Sequence, residues 1–196
     1  MDVRREKSLG LVGSILLIVG GFLGVIPYVG AFLGTTSLIG QVLILIALKG
    51  LGDKLGDDRP FRYYLYSVVI AIGLAAISIV LILVGILSAP GFVDHPEGLN
   101  AIGIGMIGAA LLLIIAGAII GIYFTIKAWR ATYEITHVEE FKKTANFLMW
   151  GAITLIILVG VILLLVAAVY QILAFANMPE ELNVRGDKEP EEVPVF

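Results

Sequence analysis

GVIPYVGAFLG, Gly24 to Gly34, lies near the middle of about forty residues, Leu9 to Leu48, that contain no charged side chain. As one helix rising 1.5 Å per residue that run would measure about 60 Å, twice the hydrocarbon thickness of a bilayer. No tilt absorbs such an excess, so the chain is expected to reverse. Pro27 lacks an amide proton and presets φ for a first helical turn or a β-turn, and Gly30 accepts backbone angles that other residues avoid. A reversal over Ile26 to Gly30 leaves two apolar arms of about eighteen residues, each just sufficient to span.

The rest of the chain has the same character. It is 59% hydrophobic and 15% charged with a mean hydropathy of +1.02, which is more apolar surface than a soluble fold of 196 residues can hide. Further uncharged runs occupy Tyr63 to Leu87, Ala101 to Ile126 and Phe147 to Phe175. The expected fold class is therefore all-α: a polytopic transmembrane helix bundle of five spans, at about 9–26, 31–48, 63–87, 101–126 and 147–175. The first two form a tight Pro-Gly hairpin. Residues 1–8 are expected as a cytoplasmic N-terminus and 177–196 as an acidic disordered tail. Arg4, Arg5 and Lys7 ahead of an apolar run resemble a signal peptide, but no small-residue cleavage site follows, so a retained first helix is the expectation.

Basic residues orient the spans. Arg4, Arg5 and Lys7, then Lys49, Lys54, Arg59 and Arg62, then Lys127, Arg130, Lys142 and Lys143 alternate onto one side, which the positive-inside rule makes the cytoplasm. Five spans then put the N-terminus inside and the C-terminus outside. A shallow hairpin over 9–48 satisfies the same charges as two full crossings; the irregular backbone it would bury favours the crossings. Phe61, Tyr63, Tyr64, Tyr66, Tyr123, Trp129, Phe147 and Trp150 read as an inner aromatic belt. Thr136 with Glu139 has capping-box spacing and is expected to start a helix that pairs Glu139 with Lys143 and runs on into the membrane.

The chemistry available is limited. The expected spans contain no Asp, Glu, Lys, Arg or His, which removes the usual carriers of proton relays, ion coupling, voltage sensing and intramembrane acid–base catalysis. No catalytic residue, cofactor or metal site is expected, and the protein is read as not an enzyme. Cysteine is absent, so there is neither a disulfide framework nor a thiolate site. Asp94, His95 and Glu97 sit among turn residues, His137 reads as a solvated interfacial histidine, and Asp53, Asp57 and Asp58 lack the spacing of a calcium loop. Arg185-Gly186-Asp187 in the tail is a tripeptide that recurs by chance.

Polar and small side chains inside the apolar runs remain as candidates for helix packing or for lining a path. Thr35, Thr36, Ser37 and Gln41 cluster on the second span, with Ser37 and Gln41 on one face and Gln41 about 15 Å from the outer end. Ser78 lies in the third span. Gly20 and Gly24, Gly30 and Gly34, Gly117 and Gly121, Ala71 and Ala75, and Gly105 and Ala109 stand at the four-residue spacing that lets helix backbones approach closely. Gln41 either bonds a neighbouring helix or faces a substrate.

LIALKGLGDKLGDDRPFRYYL after a Pro-Tyr-Val-Gly hairpin, then YEITHVEEFKKTANFLMWGAITLIILVG and QILAF, resembles the domain of unknown function 996 family of small, mostly archaeal membrane proteins. The resemblance covers about Leu9 to Phe175, with Gly52 and Pro60 standing where Ser and Ile are expected in that family. It implies a multi-pass protein of an archaeal cell membrane and carries no activity or site residue with it. The expected function is a non-catalytic bundle acting through the lipid bilayer, a membrane-protein partner or a homo-oligomer, with no nucleic acid involved. A small oligomeric channel for an uncharged or weakly polar solute, with Gln41, Ser37, Thr36 and Ser78 along its path, is the alternative.

Overall fold

The computed structural model describes residues 1–23, 30–87, 101–154 and 159–182. They form six helices: α1 (Arg4–Leu23), α2 (Gly30–Leu55), α3 (Arg59–Leu87), α4 (Ala101–Thr136), α5 (Glu139–Thr154) and α6 (Val159–Asn177). Consecutive helices pack as antiparallel hairpins, α1 with α2, α3 with α4, and α5 with α6. Neighbouring hairpins meet through α2 and α3, α4 and α5, and α6 and α1, which closes the six into a ring. Four helical stretches, Thr35–Leu55, Arg59–Leu87, Ile102–Thr136 and Gly160–Asn177, are long and apolar enough to cross a membrane. Large apolar side chains such as Val69, Val80, Leu112 and Ile119 lie more than half exposed and away from the interior cleft, as a lipid solvent allows.

The reversal expected within 9–48 is present, since α1 ends at Leu23 and α2 runs back along it from Gly30; Gly24 and Pro27 lie outside the described residues. Where one span was expected over Phe147–Phe175, the described residues form two helices, α5 ending at Thr154 and α6 beginning at Val159. A helix continuous from Glu139 to Asn177 would measure about 58 Å, and the length argument that divides 9–48 divides this run as well. Phe147 stacks on Tyr170 at 5.2 Å between centroids, and Asn177 donates to Glu140 at 3.2 Å, so α6 returns to the level at which α5 began.

The start of the chain and the end of α6 therefore share one end of the ring. Val3 N donates to Glu180 O at 2.8 Å, Leu182 N donates to Met1 O at 3.0 Å, and Arg4 pairs with Glu180 at 2.7 Å. Val3, Met178 and Leu182 are buried. The described termini thus meet at one end of the ring, where the charge pattern led to the expectation of opposite sides of a membrane, and residues 177–182, assigned to the disordered tail, are docked. The sequence stretch is acidic, but Met178 and Leu182 supply apolar anchors and the backbone supplies a pairing partner.

Local chemistry sets the helix ends. Gly56, with φ of +74°, follows the last residue of α2, and Asp57 N reaches back to Gly52 O at 3.0 Å, a left-handed helix stop that glycine adopts without a Cβ penalty. A Cβ at Gly52 would stand 3.0 Å from Asp57 O, so this turn uses the glycine. Asp57 accepts from Arg59 N at 2.9 Å and from its guanidinium at 2.7 Å, and that guanidinium holds the Asp57 carboxyl below the usual carboxylate range. Pro60 follows in the first turn of α3, where a missing amide proton costs nothing. Thr136 is not the N-cap expected for α5. It is the last residue of α4, its hydroxyl donates to Thr132 O at 2.7 Å, and His137 takes a left-handed φ of 56° with its N–H on Tyr133 O at 2.7 Å. Glu139 pairs with Lys142 at 3.8 Å, while Lys143 lies over the Tyr170 ring at 5.6 Å.

The core sits at this charged end. Trp129 of α4 stacks on Phe141 of α5 at 5.5 Å and meets the edges of Tyr64 of α3 at 5.7 Å and Phe175 of α6 at 5.9 Å. Gly10 of α1 lies against the Phe175 ring, and Ile44, Leu48 and Leu51 of α2 complete the cluster. Further along, α1 and α2 approach closely at Gly13 and Gly40, where a Cβ on Gly40 would stand 2.6 Å from Gly13 O. Replacing Gly40 with Ala is expected to cost about 1–3 kcal/mol by forcing the helices apart, measured as a lower thermal midpoint in detergent. Gly105→Ala is the control, because nothing lies within 4 Å of a Cβ there.

Candidate functional site

Inside the ring, next to the aromatic layer, lies a half-open cleft of about 560 Å³. Residues from all six helices line it, including Leu17 of α1, Gln41 of α2, Tyr64 and Ser67 of α3, Gly117, Gly121 and Thr125 of α4, Leu148 of α5 and Gln171 of α6. The opening follows from composition: Ala71, Ala75, Gly117, Ala118, Gly121, Ala167 and Ala168 carry little or no side chain into the middle of the ring. Among the described residues, none that lines it is a carboxylate, an amine, a guanidinium or a histidine.

The polar groups divide into bonded and unbonded. Ser67 donates to Tyr64 O at 2.7 Å and Thr125 to Gly121 O at 2.9 Å, so both hydroxyls satisfy their protons on their own helices. Gln171 Nε2 donates to Ser14 Oγ at 3.0 Å, and Ser14 in turn donates to Gly10 O at 2.8 Å, tying α6 to α1. Among the described residues, neither the Gln41 amide nor the Tyr64 hydroxyl meets a hydrogen-bond partner, although Tyr64 is only 5% exposed. Trp129, below Tyr64, is fully buried with its Nε1 unpartnered. In a medium without water such groups carry a cost until something bonds them.

The structure separates the residues nominated from sequence. Gln41, Gly117 and Gly121 come together on the cleft. Gly117 is packed, with a Cβ there reaching 3.1 Å from Leu74, whereas Gly121 has ordinary clearance at 3.8 Å from Ser67 O. Ser78 is a bracket between helices: its hydroxyl lies 2.8 Å from Leu74 O and 3.2 Å from Ala110 O of α4. Ser37 is half-buried on α2 and away from the cleft lining, Gly20 is buried on α1, and Gly24 lies outside the described residues. Asp94, His95, Glu97 and Arg185-Gly186-Asp187 also lie outside them. Among the described residues no three His, Cys, Asp or Glu side chains group to hold a metal ion, and His137 rests edge-on against Tyr133 at 6.4 Å.

Sequence reading missed Gln171, Ser14, Tyr64 and Ser67. Gln171 and Ser14 carried a usable signal, an amide and a hydroxyl within otherwise apolar stretches, of the kind that singled out Gln41. Tyr64 was grouped with the interfacial belt, because composition does not say which side of a helix faces inward.

The charged end also holds α1 to α2. Lys54 Nζ lies 2.6 Å from Glu6 Oε2, whose side chain is 7% exposed, and 2.8 Å from Asp2 O. Removing the cation by Lys54→Met leaves the Glu6 carboxylate buried alone, so faster proteolysis of the first residues and a lower thermal midpoint are expected; Glu6→Gln combined with Lys54→Met restores most of the loss.

The described residues form a helical bundle in which four helices are long and apolar enough to cross a membrane, the architecture expected of a membrane protein. The chain belongs to the DUF996 family, described as proteins of unknown function, whose family model matches residues 36–169. It is 32% identical over 184 residues to an uncharacterised protein of Methanocaldococcus jannaschii, covering 93% of this chain and 97% of that one. No solved structure matches the chain.

Proposed function

We propose that this is a non-catalytic, multi-pass protein of the cell membrane that takes a predominantly apolar molecule from the bilayer into its cleft. The observation that carries the reading is the cleft itself: its volume falls in the range of small-molecule sites, roughly 300–1,000 Å³, and its walls are apolar with a few polar groups. Absence of any ionisable acid or base other than tyrosine from those walls favours binding over catalysis. The buried layer of Trp129, Phe141 and Phe175 below the cleft weighs against a continuous solute path in this conformation.

The orientation proposed has six membrane-embedded segments with both ends of the chain in the cytoplasm. Every Lys and Arg from Arg4 to Lys143 then lies on one side, at the end where the described termini meet. Because the chain has no cysteine, Asp53→Cys and Glu181→Cys each provide a single labelling site. Both are expected to resist a membrane-impermeant maleimide in intact cells and to react after permeabilisation; labelling of the 181 site alone in intact cells restores the five-span arrangement.

Native mass spectrometry after gentle release from the membrane tests the function. One apolar molecule retained per chain is expected, and filling the cleft with Ala71→Phe plus Ala168→Phe should remove it without lowering the thermal midpoint. A wild-type chain that carries none, or a filled variant that keeps it, overturns the reading.

A further inference from the structure

The cleft's unbonded atoms specify more than apolarity. Tyr64 offers a hydroxyl proton with no acceptor among the described residues, although the residue is 5% exposed and lines the cleft. Gln41 presents an amide with no partner, and Gln171, 8% exposed, spends Nε2 on Ser14 and leaves Oε1 as an acceptor. Buried polar groups in hydrocarbon surroundings are normally matched, and these three converge on one space from α3, α2 and α6.

Charge then selects among headgroups. A phosphate or carboxylate drawn into this cleft would be desolvated with no lysine, arginine or histidine lining it. An ammonium would meet no carboxylate there. A hydrocarbon without a head would leave Tyr64 and Gln41 as unpaired as before. An uncharged oxygen accepts from Tyr64 and from the Gln41 amide, and a hydroxyl proton on it can be donated to a glutamine oxygen.

Resting on the reading of the cleft as a ligand site, we infer that its ligand is a neutral amphiphile: a long apolar chain ending in a hydroxyl or carbonyl head that Tyr64, Gln41 and Gln171 hydrogen-bond. The chain lies along the alanine and glycine wall of α3 and α4, where Ala71, Ala75, Ala118 and Gly121 leave room. The head lies toward the Tyr64 end, next to the aromatic layer.

Trp129 provides the readout. The protein has two tryptophans, so Trp150→Phe leaves Trp129 alone, 5.7 Å from the Tyr64 ring and fully buried from bulk lipid. Three probes with bromines near the head are compared in detergent micelles: dibromo-octadecanol, dibromo-octadecane and dibromo-octadecyl phosphate. The alcohol is expected to quench Trp129 at about tenfold lower mole fraction than either of the others. Gln41→Leu and Tyr64→Phe are each expected to bring the alcohol to the level of the hydrocarbon while leaving quenching by the hydrocarbon unchanged. Gln41 is half-buried and unbonded, so its replacement by Leu leaves the fold intact even where Tyr64→Phe disturbs the aromatic layer. Equal or stronger quenching by the phosphate, or an alcohol preference that survives Gln41→Leu, overturns the headgroup assignment while the cleft remains a ligand site. Quenching by none of the three overturns the ligand site and the assignment with it.

Discussion

Trp129 stacked on Phe141 is the contact on which the remaining architecture depends. These rings belong to α4 and α5, and their edges meet Tyr64 of α3 and Phe175 of α6, whose ring in turn covers Gly10 of α1. Apolar burial provides little drive between helices already surrounded by lipid, so ring packing, close backbone approach and hydrogen bonds must hold the hairpins together. All three occur here. The aromatic layer joins hairpins at the charged end, Gly13 and Gly40 bring α1 onto α2, and Ser78 and Gln171 bond across helix pairs.

Above that layer the ring is not filled, and the cleft is what small side chains leave behind. The same layer that closes the cytoplasmic side in the proposed orientation also supplies the Tyr64 wall of the cleft. Stability and recognition thus share a residue: the Tyr64 ring is held by Trp129, and the same residue lines the space where a ligand would sit.

Much of this was legible in the sequence, and the reason is the fixed rise of a helix. An uncharged run of forty residues must turn within a bilayer, and Leu9–Leu48 does. The run from Glu139 to Asn177 obeys the same arithmetic, with α5 ending at Thr154 and α6 beginning at Val159, but the sequence there lacks the proline and paired glycines of the first run. Punctuation was read where length should have decided. Gln41 stood out because an amide is costly among aliphatic neighbours; whether it faced another helix or a space depended on how three hairpins meet, which periodicity does not encode. Ser78 shows the opposite outcome, a polar side chain fully used by carbonyls of α3 and α4.

Pairing of Met1–Val3 with Glu180–Leu182 joins segments far apart in sequence, with Met1 N donating to Leu182 O across 181 positions. Glu6 finds Lys54 as soon as α2 is complete, so the first hairpin can settle early. The seam between α1 and α6 must wait until α6 and Glu180–Leu182 have been made. Ring closure therefore needs both ends of the six-helix array, and without the α1–α6 seam the cleft that all six helices line would be a groove open along one flank.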